Sequence, residues 1–226
     1  MNLKQSQAAS QPRKALFSAI LLSLGLMATG AQAAVVFNNG APDQVSGVNM
    51  SANTVAEDFT TAADFTLSNI RFWSVMSART DYGGAITVSI ASNAGGLPGA
   101  VIASGTLSQA LNPTGNATGF GYDEYVFDSP SSAVLVAGSY WLLLGASPLD
   151  PVSPTEMLWE TTATGQGATA QYFDAGSNEW IDSGQNLAFR IDGTPIDPNP
   201  NPTPEPATLA LLAAGLLAAR AARRQA

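Results

Sequence analysis

Between Ala34 and Pro195 the apolar positions fall into short runs with a period of two, broken by turns of Gly, Pro, Asn and Ser. Ile86, Val88 and Ile90 alternate with Thr87 and Ser89, the pattern of a strand with one face buried. Leu187, Phe189 and Ile191 alternate with Ala188 and Arg190 in the same way. Ile70 to Val75 is rich in β-formers, and Tyr140 to Leu144 is a continuous apolar run, as expected of a central strand buried on both faces. Further strands are expected over 59–67, 101–107, 122–127 and 168–173. Turns are expected at Asn93 to Gly99, Ala137 to Ser139 and Asp192 to Pro195. No amphipathic helix of useful length and no internal repeat interrupts the series. Short strands separated by turns predict an all-β body over 34–195, an antiparallel β-sandwich.

The two ends follow other rules. Lys4, Arg13 and Lys14 precede an apolar stretch from Ala15 to Met27, and Ala31-Gln32-Ala33 supplies a small-x-small cleavage box. These are the three parts of an export signal, so residues 1–33 read as a signal peptide cut between Ala33 and Ala34. At the other end, 196–203 form a Pro/Asn-rich linker, where alternating prolines favour an extended, polyproline-like spacer. Pro204-Glu205-Pro206 follows, then an uncharged apolar run, 207–219, then Arg220, Arg223 and Arg224. Pro206 suits the first position of a helix, and Glu205 suits its positive end. The run reads as a single transmembrane helix, shorter than the ~20 residues of a stable span, with its arginines held in the cytoplasm.

In its order of parts, the tail at 204–226 resembles the PEP-CTERM sorting domain, the recognition tag of exosortases. The resemblance implies an inner-membrane precursor whose tail is read and removed by an exosortase-like transpeptidase, after signal peptidase has acted at the N-terminus. It also implies delivery to the cell surface or the extracellular space, and association with extracellular polysaccharide or biofilm. The order of body segments resembles, more loosely, the bodies that precede such tails: Glu57-Asp58-Phe59, Ile70 to Trp73, Gly95 to Gly99, Ala137 to Leu142 and Ala188 to Gly193. That likeness implies a jelly-roll-like sandwich.

Composition narrows the chemistry. The chain has no cysteine and no histidine. Disulfides, thiolate metal sites, cysteine nucleophiles and Ser-His-Asp arrangements are therefore excluded. Of the nine Lys and Arg residues, three lie in the signal and three in the tail, leaving Arg71, Arg79 and Arg190. With 17 acids in the whole chain, the body is strongly anionic, which argues against a nucleic-acid partner.

No catalytic constellation stands out, and the expected class is non-enzymatic. Trp73 and Trp141 sit in apolar strand patterns and are expected in the core. Trp159, Trp180 and Tyr172 have polar neighbours and are the candidates for carbohydrate contact, since sugar faces stack on exposed rings. No cofactor and no metal ligand set is expected. Structural calcium is the one candidate left open by the acids at Glu57-Asp58, at Asp123, Glu124 and Asp128, and at Asp174 to Glu179. The reading is an exported surface or matrix protein. The alternatives are a carbohydrate-binding module with a defined sugar site and, behind it, a glycoside-active enzyme with two facing carboxylates.

Overall fold

The computed structural model describes residues 33–147 and 156–196, with 211, 213–215 and 220 in the tail. Chain contacts group Ala33–Asp197 into one compact unit. Leu211, Ala213 to Gly215 and Arg220 are helical, and among the described residues no helix is long and apolar enough to cross a membrane. Ala31, most of the 207–219 run, Pro204, Glu205, Pro206, Arg223 and Arg224 lie outside the described residues.

The body is built from two antiparallel sheets. Sheet A centres on β4 (Phe65–Met76), the longest strand. One side of β4 pairs first with β14 (Phe189–Pro195) and then with β11 (Met157–Glu160). The other side pairs with β9 (Val134–Leu135) and β8 (Asp123–Pro130). β1 (Ala34–Asn38) borders β14, β2 (Gly47–Asn49) borders β11, and β7 (Pro113–Ala117) borders β8. Sheet B runs in the order β13 (Glu179–Asp182), β12 (Gln171–Asp174), β3 (Thr54–Thr61), β10 (Gly138–Ser147), β5 (Ala85–Asn93) and β6 (Pro98–Leu107). The chain passes repeatedly between the sheets, so most pairings join segments distant in sequence.

A single core fills the space between the sheets. Val55, Phe59, Ile86, Val88, Ile90, Leu142 and Leu144 from sheet B meet Phe65, Ile70, Phe72, Phe127, Trp159 and Phe189 from sheet A. Phe59 and Phe189 meet edge to face across the gap with centroids 6.2 Å apart, and Phe72 stacks on Phe127 at 5.2 Å. The expected central strand is β10, buried on both faces: Leu142 and Leu144 enter this core, while Trp141 and Leu143 form a second small cluster with Ala56 and Ala91 on the outer face of sheet B.

The expected strand at 59–67 is in fact two strands, β3 and β4, belonging to different sheets. Trp73 also departs from expectation: it is half-buried rather than a core residue. The reason is a bulge. Gly193 pairs with Leu67 while Asp192 pairs with Asn69, which leaves Ser68 as an extra residue. Phe65 and Leu67 face the core before it, and Ile70, Phe72 and Met76 face it afterwards. The phase shift turns Trp73 to the outside.

The two ends of the body lie side by side. Ala34 pairs with Gly193 in the β1–β14 ladder, so the segment after the expected signal cleavage starts beside the strand that leads into the linker.

Candidate functional site

The outer face of sheet B carries a shallow depression of about 430 Å³ lined by Thr54, Thr87, Ser89, Leu143, Gly145 and Ser147. Its shape follows from register. Asp182, Gln171, Ala56, Leu143, Ser89 and Ser104 form one cross-strand row through all six strands. Small side chains at Ala56, Ser89 and Ser104 leave Leu143 as the floor, and the Ser89 and Ser104 hydroxyls bond to each other at 2.7 Å. A neighbouring row sets Trp180 beside Phe173 and Phe173 beside Thr54. The two rings meet edge to face at 5.4 Å, and Trp180 remains partly exposed.

Trp159 has a different place, which corrects the expectation of sugar contact there. It is 0% exposed, lies edge to face against Phe72 and Phe189, and donates its indole N–H to the Ala188 carbonyl at 2.9 Å. Its neighbour Glu160 is polar, but on a strand that neighbour points to the opposite face and leaves Trp159 in the core. Tyr172 packs its half-buried ring against the main core.

The acids separate in the same manner. Glu57 alternates with Val55 and Phe59 and so faces the core, whereas Asp58 faces outwards and accepts a bond from the Ala168 N–H at 3.0 Å. Asp128 is held by Arg71 at 2.8 and 2.9 Å and by Asn69 at 2.8 Å. Asp174 caps its own turn, accepting from the Gly176 and Ser177 N–H groups and from the Ser177 hydroxyl. Among the described residues no three or more His, Cys, Asp or Glu are placed to share a metal ion.

One pairing was not legible in the sequence. Glu124 on β8 and Glu160 on β11 approach each other on the outer face of sheet A, from strands that flank β4. Gln44 joins them: its backbone N–H donates to Glu160 at 3.0 Å and its amide donates to Glu124 at 2.8 Å. Asn116 donates to the second Glu124 oxygen at 3.1 Å, so Glu124 is surrounded by donors. Burial first, and then the charge of Glu124, push the Glu160 carboxyl up to about 8, so at neutral pH it carries a proton. Both groups are almost completely buried, which makes this a structural acid pair holding the 40–46 loop to the sheet.

No curated protein and no solved structure matches the chain. The family comparison finds its match outside the body, at residues 202–225, where the sequence fits the PEP-CTERM protein-sorting motif. The chain is thus an antiparallel β-sandwich protein that carries a PEP-CTERM sorting motif, a tail that implies export and exosortase-type processing.

Proposed function

We propose that this protein is an exported, non-enzymatic surface or extracellular-matrix component, delivered through its tail and associated with extracellular polysaccharide. The observation that carries the reading is the sorting motif at 202–225, whose match begins at the end of the Pro/Asn-rich linker. The neighbouring ends of the body support it, because Ala34 and Gly193 share one ladder. Signal peptidase and an exosortase-like transpeptidase are the processing partners, and the inner membrane holds the precursor.

The test is Glu205→Ala in the native host, followed by fractionation and intact mass. Accumulation of a membrane-bound species that retains Arg224 is the expected result. Unchanged maturation would show that no peptidase reads the motif, leaving the tail as a plain anchor.

A second reading, a carbohydrate-binding module, is favoured by the outer face of sheet B. The depression floored by Leu143 and ringed by hydroxyls, with Trp180 and Phe173 on the same face, offers the mixture of apolar surface and hydrogen-bonding groups that a sugar needs. Loss of binding to the host's own polysaccharide in Trp180→Ala, with stability unchanged, would select it over the general matrix role.

A further inference from the structure

A sheet edge exposes unpaired backbone N–H and C=O groups, and natural edges are blunted by shortness, charge, proline or bulges. Most outer strands of this protein obey that rule. β2 has three residues and β9 two, β1 is bulged between Val35 and Phe37, and β7 contains Pro113 and Gly115 and pairs irregularly. β13, at one end of sheet B, is four residues long with Glu179 and Asp182 at its ends. β6, at the other end, is different. It has ten residues, none of them charged, and its one proline is the first residue. Val101 is 58% exposed and Ile102 48%, and among the described residues β6 pairs only with β5. Its irregularity is confined to the Pro98–Ile102 end; Ala103 to Leu107 pair with Ile90 to Ile86 without a break.

Charge decides what can cover this edge. Acids outnumber basic residues throughout the body, so two copies repel each other over most of their surface. From Tyr82 to Tyr122 there is no charged residue at all, and this stretch contains β5, β6 and β7. A second copy can approach there without setting carboxylates against each other. It also brings what the edge requires, an extended and uncharged β-rich strand.

We propose that β6 is a self-association edge, through which two copies pair their β6 strands antiparallel and continue sheet B across a two-fold axis. Such an interface is closed, since each edge is used up by its partner. The inference goes beyond the sorting reading, because it holds whether or not the tail is processed.

The test is sedimentation of the full chain in a mild detergent, comparing the native protein with Ile102→Lys/Thr106→Lys. The native chain is expected at twice the monomer mass and the variant at the monomer mass, with the same near-ultraviolet circular dichroism. A native monomer at tens of micromolar would overturn the proposal. So would a dimer that survives both lysines, which would place the contact in the tail or on another face. Because the chain has no cysteine, Ile102→Cys provides an independent reading with a short thiol cross-linker. Covalent dimer from Ile102→Cys but not from Ser177→Cys, in the β12–β13 turn, is expected; equal yields from both would refute the edge.

Discussion

Asn39 donates its side-chain amide to Glu57 at 3.0 Å in the interior of the sandwich, where both residues are 0% exposed. The same Asn39 donates to the Leu187 carbonyl at 2.9 Å, and the Leu187 N–H returns a bond to the second Glu57 oxygen at 3.1 Å. These bonds join β3 of sheet B to the segments flanking β1 and β14 of sheet A. They favour the ionised carboxyl, but burial acts more strongly and raises Glu57 from 4.5 to about 9. The folded protein therefore keeps a proton that the unfolded chain releases above pH 4.5. The contribution of Glu57 to stability is full below pH 4.5 and falls as pH rises towards 9, by at most ~1.4 kcal/mol per pH unit. Urea unfolding across that range should show the decline, and Glu57→Gln should flatten it.

Glu160 adds a second decline. Its carboxyl moves from 4.5 to about 8, so its contribution is lost as pH rises through that interval. Glu160→Gln keeps a neutral group in place and should leave stability at pH 5 near that of the native chain while reducing the loss by pH 8. Glu124→Ala should be worse at every pH, costing ~1–3 kcal/mol, because Gln44 and Asn116 lose their acceptor. An identical pH slope in Glu160→Gln would argue against the raised Glu160 carboxyl.

The tryptophans should separate cleanly. Trp159→Ala leaves a cavity between Phe72 and Phe189 and an unbonded Ala188 carbonyl, with an expected cost of ~3–5 kcal/mol in chemical unfolding. Trp180→Ala on the outer face should cost much less. Comparable losses would mean that Trp180 supports the fold rather than a binding surface.

Gly167→Ala tests a tight approach. Gly167 has φ +90°, and a methyl group there would press into the Asp58 carboxylate, which accepts the next N–H in the chain. A loss of ~1–3 kcal/mol is expected, measured by thermal unfolding. Gly84→Ala is the control: φ is +92° there, with open space around it, so only the backbone strain should appear.

Much of this protein is written locally. Alternation at Ile86 to Ile90 and the apolar run at Tyr140 to Leu144 identify strands, because a side chain's face on a strand depends only on its neighbours. The sorting motif is equally local, being one short stretch of the chain, and the lack of cysteine and histidine removes whole chemistries without any structure. Pairing is another matter. Nothing near Ser68 announces the bulge that turns Trp73 outwards, because the extra residue exists only relative to β14. Trp159 and Trp180 have similar neighbours, but one lies between the sheets and the other on an outer face. Glu124 and Glu160 become partners only because β8 and β11 flank the same β4. Strand periodicity assigns two faces to a segment; which face is covered, and by what, is decided by contacts between residues far apart in the chain, and only the tertiary structure contains them.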